Sequence, residues 1–244
     1  MIAFPKPLSL DARTERLVAA YMTAKESVIE AGYAAEIDWQ QQLDFDSITE
    51  QDFLRESAWV VFSAGMKETV VRAKFPAISR AFLGWASARA IVRHSERCRQ
   101  SALSVFAHEG KIEAILTLAR EVSQTGFAKV RERIEEDGTD YLQSFPYLGP
   151  ATSCHLAKNL GINVAKPDRH LLRIAERAGY SSPDTMCRHI SEIVSDKDCV
   201  VDLVLWRYAT INPQYLATFS SRSTNAIVAI GEVASQVLEL DTPV

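Results

Sequence analysis

The sequence has little glycine and proline, no clustered cysteines and no long apolar run. Ten glycines and nine prolines in 244 residues are fewer than the usual share of roughly one residue in eight. No segment combines turn residues with strict apolar and polar alternation, which argues against a β-rich sandwich or barrel. Apolar runs such as Ala58–Phe62 fall far short of the ~20 residues that span a bilayer.

The amino terminus and the cysteines are typical of a cytoplasmic protein. Residues 1–6 show no charged-then-apolar secretory pattern, so we expect a soluble cytoplasmic protein with no membrane contact. The cysteines, Cys98, Cys154, Cys187 and Cys199, include no C-x-x-C pair. Because zinc and iron–sulfur sites need clustered soft ligands, we expect reduced thiols, no side-chain metal site and no iron–sulfur cluster.

Charge is unevenly distributed along the chain. The net charge of −4 by itself argues against a nucleic-acid partner. However, eight basic and two acidic residues lie between Lys67 and Arg99, and five basic and two acidic residues lie between His155 and Arg177. Such segregation is typical of one basic face on an acidic protein, which suits DNA, or of solvated helix faces.

The apolar spacing predicts a succession of amphipathic helices and therefore an all-α fold. The apolar side of a first helix over 11–31 comprises Leu17, Val18, Tyr21, Met22, Val28 and Ile29, and Gly32 follows as its stop. Thr49 is expected to cap a helix that runs to Gly65. Further helices are predicted over 67–83 with a break at Pro76, over 86–109, 111–124, 127–137 and 199–211, from Ser182-Pro183, and over Thr224–Leu238. Within the helix over 86–109, Arg89, Arg93 and Arg97 form one stripe, a candidate phosphate contact.

Residues 145–157 predict a tight turn followed by a helix that begins at Pro150. Gly149 lets the backbone approach a ligand closely, and the N–H groups of the next helical turn form an anion site with the helix dipole behind them. One backbone phosphate fits there. An ordinary connection between two helices is the alternative.

Asp168 follows Pro167 and precedes a helical apolar pattern, which predicts an N-cap that accepts a backbone N–H from His170 or Leu171. The helix dipole then favours the charged carboxylate. An ionised carboxylate with one free oxygen suits a reaction that develops positive charge on a sugar ring. Capping alone is the alternative role.

The segment F-P-Y-L-G-P-A-T-S-x-x-L-A, a short spacer and K-P-D-R-H-L-L-R-I resemble the signature of the helix-hairpin-helix Gly/Pro-Asp (endonuclease III-like) DNA glycosylase superfamily. The specific match covers about 30 residues, Phe145–Ile174. Val201–Ala209 looks like a later helix of that family, and Trp59–Gly65 looks like the helix that leads to its DNA-inserting loop.

The resemblance implies two all-α lobes with a groove between them into which a nucleotide of double-stranded DNA is flipped. One lobe is a bundle over 49–160 with the helix-hairpin-helix at about 139–160, and the other comprises 1–48 and 161–244. Asp168 falls on the catalytic aspartate. The resemblance also implies a monovalent cation on hairpin carbonyls, and we expect a monomer. The implied DNA-binding residues are Leu148, Gly149, Thr152, Lys166, Arg169 and Arg173, with Arg89 and Arg93 added from the stripe.

The chain departs from the family at several positions. Tyr147 stands at the first hairpin glycine, and Ala151 stands where strand-cleaving members carry lysine. The four-cysteine cluster of endonuclease III is missing. Gly65 stands where a polar inserting residue is common, so Met66 is our candidate for the wedge that fills the place of the flipped base.

The resemblance, with alanine at position 151, implies a monofunctional DNA glycosylase, which leaves an abasic site. A DNA-binding helix-hairpin-helix protein without catalysis and a glycosylase that acts on modified bases of phage DNA remain alternatives, the latter because Gly65 leaves room. Aromatic residues stack on extruded bases. The candidates for the base pocket are Tyr33, Trp39, Trp59, Phe62 and Trp206.

Overall fold

A computed structural model describes residues 10–219. Every regular element in this range is helical, which confirms the predicted all-α class for it. The predicted helix Thr224–Leu238 lies outside the described residues. The α-helices are α1 (Ala12–Val28), α2 (Ala34–Gln42), α3 (Glu50–Ser63), α4 (Glu68–Ala81), α5 (Ala88–Arg93), α6 (Ser95–Val105), α7 (Glu109–Thr125), α8 (Phe127–Leu142), α9 (Pro150–Asn159), α10 (Arg169–Ala178), α11 (Pro183–Val194), α12 (Asp198–Ile211) and α13 (Tyr215–Thr218).

Local capping signals decide several helix ends as predicted. Thr49 caps α3 in a capping box with Asp52, since each residue's side chain accepts from the other's backbone N–H. Ser182 caps α11, and Pro183 occupies its first position. Gly138 has non-helical backbone angles (φ 56°, ψ −131°) and interrupts α8 where the sequence predicts a stop.

Two predicted helix boundaries are wrong. Pro76 does not break α4, which continues from Glu68 to Ala81. Proline removes the hydrogen bond to the carbonyl four residues earlier, here that of Arg72. Both Pro76 and Arg72 are exposed, so water can satisfy that carbonyl.

The single helix predicted over 86–109 is two helices. His94 leaves the helical conformation (φ −113°, ψ 25°), so α5 ends at Arg93 and α6 begins at Ser95. No glycine or proline marks this break. Arg89, Arg93 and Arg97 are exposed, but they do not share one continuous helix face, and the predicted stripe is wrong in that respect.

The predicted apolar side of the first helix is also partly wrong. Leu17, Tyr21 and Val28 are buried, whereas Met22 and Ile29 are among the exposed large apolar residues. Helix α1 ends at Val28, before Gly32. A π-helical segment, Ile29–Tyr33, follows it, so Ile29 lies outside the α-helical register of α1.

The described residues form two compact units. The unit of residues 39–167 contains α3 to α9 and one apolar core. Phe53 packs against Phe127 and Phe145, and Phe62 packs against Phe106. Gly161 (φ 91°) permits a close approach at the edge of this core, because an added Cβ would lie 2.8–2.9 Å from the backbone of residues 44–45.

The unit of residues 10–38 and 168–219 is built around α12. Nearly every α12 side chain is buried, because α1, α10 and α11 all pack against this helix. Tyr21 and Lys25 of α1 bind the carboxylate of Asp196, at 2.6 and 2.7 Å, and tie α1 to the loop before α12. This unit positions Asp168 at the start of α10.

Candidate functional site

Asp168 lies at the amino-terminal end of α10, where its carboxylate caps the helix. Its Oδ1 accepts hydrogen bonds from the backbone N–H groups of His170 and Leu171, at 2.8 and 3.0 Å. Within residues 10–219, no group donates to Oδ2. The positive end of the α10 dipole lies next to this carboxylate. The predicted cap is therefore confirmed, and one carboxylate oxygen is available to a ligand.

His170 holds the first turn of α10 against α13. Its Nδ1 lies 3.2 Å from the hydroxyl of Tyr215, and the two rings meet edge to face. Burial lowers the pKa of His170, and the neighbouring Asp168 opposes that shift while Arg169 and Arg173 add to it. The imidazole is therefore mainly neutral at pH 7, and its contacts are those of a side chain that fixes the helix beside Asp168.

The predicted hairpin turn joins α8 to α9. The N–H of Leu148 donates to the carbonyl of Phe145, at 3.2 Å, and Leu148 is buried. Proline at position 150 has no N–H, and the N–H groups of Ala151 and Thr152 have no acceptor among the described residues. These two amides, with the positive end of α9 behind them, can bind an anionic oxygen.

Tyr147, which the resemblance aligns with a hairpin glycine, adopts a left-handed backbone conformation (φ 67°). The hydroxyl of Thr152 donates to the carbonyls of Tyr147 and Gly149, at 3.0 and 3.1 Å, and this holds the turn. The Tyr147 ring lies against His108, with centroids 5.9 Å apart. A Cβ added at Gly149 would meet nothing within 4 Å, so the surface at Gly149 is open to a ligand.

The hairpin carbonyls that the resemblance assigns to a monovalent cation already have a donor. The oxygens of Tyr147 and Gly149 converge on the Thr152 hydroxyl. A cation between them would compete with that hydroxyl, which does not fit a dedicated cation site.

The candidate wedge, Met66, lies in the turn after α3 and is exposed. Gly65 before it has a left-handed backbone (φ 70°), and the N–H of Met66 donates to the carbonyl of Ser63. The buried ammonium of Lys111 donates to the carbonyl of Phe62 at 2.9 Å and also to that of Ala64. Burial lowers the pKa of Lys111. Sequence reasoning missed this lysine, which fixes the carboxyl end of α3 beneath the turn.

The five aromatic candidates for the base pocket differ in their surroundings. Phe62 is fully buried against Phe106, so it is a core residue and its assignment to the pocket is wrong. Trp59 is partly buried, with its ring edge to face with Phe75. Trp39 is exposed.

Tyr33 and Trp206 come together on one guanidinium. The Cζ atom of Arg207 lies 4.3 Å from the ring centroid of Tyr33 and 4.6 Å from that of Trp206. The sequence contains one signal that points to Arg207, a lone cation within the apolar run of α12, but that signal does not reveal its partners.

The basic candidates are accessible to a polyanion. Arg169 and Arg173 are exposed on α10, and Lys166 before it is partly buried. Arg89 and Arg93 are exposed on α5. Surface cations of this kind contact phosphates without reading sequence.

A cleft in the unit of residues 10–38 and 168–219 lies apart from these candidates. Three arginines, Arg13, Arg16 and Arg177, line it together with Gly179 and Phe219. Arg13 is engaged with the carboxyl end of α10, since it donates to the carbonyls of residues 178 and 179. Asp168 does not line the cleft, so concave shape alone does not locate the candidate carboxylate.

Comparison of the chain with protein-family models, with curated proteins and with solved structures gives no match. Within residues 10–219, no helix has the length and apolar character needed to cross a membrane. In the same range, no three His, Cys, Asp or Glu side chains are grouped so that they could hold a metal ion.

Proposed function

We propose that the protein is a monofunctional DNA glycosylase, which hydrolyses the N-glycosidic bond of an extruded damaged or modified base. The observation that carries the proposal is the capped carboxylate of Asp168, with Oδ1 bound to two backbone N–H groups and Oδ2 without a protein donor. The resemblance of residues 145–174 to the endonuclease III-like superfamily supports double-stranded DNA as the substrate.

Asp168 is suited to the charge that develops at the sugar. When the bond between C1′ and the base nitrogen breaks, its electron pair leaves with the base, and positive charge spreads over C1′ and the ring oxygen. A fixed carboxylate stabilises that charge without being protonated. Its free Oδ2 can accept a hydrogen bond from the water that attacks C1′. That water loses a proton, and the departing base nitrogen takes one up. The products are a free base and an abasic site.

The hairpin is suited to hold one phosphate of the DNA. The free N–H groups of Ala151 and Thr152, at the positive end of α9, can donate to a phosphate oxygen. The open surface at Gly149 lets the backbone come close. Arg169 and Arg173 add positive charge that any duplex sequence can use.

Hydrolysis rather than strand cleavage follows from the side chains near the hairpin. A lyase needs an amine that attacks C1′ and forms a Schiff base. The hairpin position that carries lysine in strand-cleaving relatives is Ala151 here. Lys158, about two turns further along α9, is buried. Lys166 lies before Asp168 and not on α9. Neither lysine therefore stands at the position of the amine in the strand-cleaving proteins.

The test is mass-spectrometric detection of bases released from duplexes that carry damaged bases or bulky phage-type modifications. We expect release by the parent protein and much weaker release by Asp168→Asn. Release confined to phage-type bases favours a role in defence. If both proteins release no base yet bind duplex equally well, the chain is a non-catalytic DNA-binding protein and the proposal is wrong.

A further inference from the structure

Arg207 is a buried cation that an ion pair holds in a fixed position, as is typical of a ligand-binding side chain. Only 9% of the residue is exposed, yet it carries a full charge that must be compensated. Glu36 provides the compensation through a bidentate ion pair, with Nε 3.0 Å from Oε2 and Nη2 2.9 and 2.7 Å from Oε1 and Oε2. A bidentate ion pair of this kind holds the guanidinium group in one orientation.

Two aromatic rings add to this orientation. Tyr33 and Trp206 both lie within cation–π distance of the guanidinium carbon. Tyr33 closes the π-helical segment Ile29–Tyr33, and the left-handed Gly32 (φ 89°) directly precedes it. Irregular helical turns of this type frequently occur at functional sites. Here the irregular turn brings an aromatic ring to a buried cation.

One nitrogen of this guanidinium is unused. The ion pair with Glu36 engages Nε and Nη2, and no described residue accepts a hydrogen bond from Nη1. Nη1 is not fully buried, so it contacts solvent. Tyr33 and Trp206 are likewise only partly buried. A fixed donor beside two accessible aromatic rings is thus presented on one surface.

We propose that Tyr33, Trp206 and Arg207 form a binding site for a planar heterocycle that bears a carbonyl oxygen, which is the chemistry of a keto nucleobase. The aromatic rings stack on the heterocycle, and Nη1 of Arg207 donates to its carbonyl. Arginine has the same preference for the keto edge of guanine in DNA grooves. An amino group at that position is itself a donor and cannot accept the bond. The assignment of this heterocycle to a base extruded from DNA rests on the proposed function.

Inosine and adenosine test the site, because they differ in having a carbonyl or an amino group at C6. Tryptophan fluorescence of the full chain is titrated with each nucleoside. We expect saturable quenching by inosine at roughly tenfold lower concentration than by adenosine, since a hydrogen bond from a charged donor contributes about that factor. Equal responses to the two nucleosides would overturn the proposal.

Variants assign the signal to these residues. Trp206→Phe should remove the quenching, whereas Trp85→Phe, at a buried core position in the unit of residues 39–167, should retain it. Arg207→Lys keeps the charge but loses the planar fork, so the preference for inosine should disappear. Its matched control is Arg188→Lys, which alters a surface ion pair with Asp184 in the same unit. Retained preference in Arg207→Lys would contradict the assignment.

A folding defect must be separated from a binding defect. Tyr33→Leu leaves the ion pair between Arg207 and Glu36 in place and removes one stacking surface, so it should weaken the binding of both nucleosides alike. Circular dichroism and thermal melting verify that each variant is folded. If Arg207→Lys is unfolded, Tyr33→Leu and Trp206→Phe decide, and normal binding by both variants would refute the site.

The failure of this inference can be distinguished from the failure of the proposed function. Binding to a duplex with a tetrahydrofuran abasic analogue needs no base, so Arg207→Lys should bind it like the parent. If the parent releases bases from DNA but does not prefer inosine, only this inference is wrong. If the parent prefers inosine but neither binds modified DNA nor releases a base from it, the glycosylase proposal is wrong and the binding site remains.

Discussion

Replacement of Asp168 by asparagine separates its two roles, because the cap needs an oxygen and the reaction needs a charge. In the structure Oδ1 accepts both capping bonds, and an amide oxygen can accept them equally well. Asparagine and aspartate are similar N-cap residues. The remaining loss is that of a charge at the positive end of α10, about 0.3–1 kcal/mol. Asp168→Asn should therefore lower the free energy of unfolding by no more than about 1 kcal/mol.

The expected effect on base release is much larger. The negative charge acts on an oxocarbenium that exists only in the transition state, and removal of one such preorganised group typically lowers the rate on the order of 10²–10³-fold. Binding to an abasic duplex should be unchanged, because the product lacks that charge. A loss of about 1 kcal/mol leaves a protein of ordinary stability almost fully folded, so partial unfolding cannot account for the expected loss of rate.

Asp11 provides a matched control in the same unit. Its Oδ1 caps α1 through the N–H groups of Arg13 and Thr14, both at 2.9 Å. Asp11→Asn repeats the chemical change at a second N-cap without a proposed catalytic role, and base release should stay at the parental rate. The assays are chemical denaturation, single-turnover base release and abasic-duplex binding. Full turnover by Asp168→Asn, or an equal rate loss in Asp11→Asn, would refute the reasoning.

Four further predictions concern the hairpin, the absent amine, a histidine and a glycine. DNA affinity should fall with salt, and Gly149→Leu should reduce the slope of log affinity against log salt by about 0.9, the value for one lost phosphate contact; an unchanged slope excludes the hairpin. Borohydride should trap no covalent DNA adduct, and an adduct that disappears in Lys158→Ala or in Lys166→Ala would identify a displaced catalytic amine. Burial and two neighbouring lysines hold the pKa of His155 well below its usual value. The neutral imidazole therefore contributes fully to stability at neutral pH, and this contribution is lost as pH falls below about 6.5, where the unfolded chain takes up a proton first. His155→Gln should flatten the dependence of the free energy of unfolding on pH below about 6.5, and an unaltered dependence contradicts the assignment. Gly161→Ala should destabilise the fold by more than Gly84→Ala, because both positions have left-handed backbone but only Gly161 also meets neighbouring backbone; equal losses on denaturation would show that the close approach is unimportant.

The parts of the candidate site that were predictable from sequence are set by residues close together in the chain. Asp168 caps the next two amides, and Pro150 starts α9 after Gly149, because capping and proline geometry act within one turn. The pairing of Arg207 with Glu36 was not predictable, since it joins α12 to α2 through the folded unit. The break at His94 carries no local signal. It shows that packing can override helical spacing.

The close approach of Tyr147 to α7 makes the direction of an aromatic side chain depend on a distant glycine. A Cβ added at Gly110 would lie 2.5 Å from the Tyr147 hydroxyl, which is the far end of an exposed side chain and can move without disturbing the core. Alanine at position 110 would turn the ring away from His108 and leave the backbone of the turn in place. Position 110 therefore offers a way to reshape the hairpin surface remotely, with no substitution in the hairpin itself.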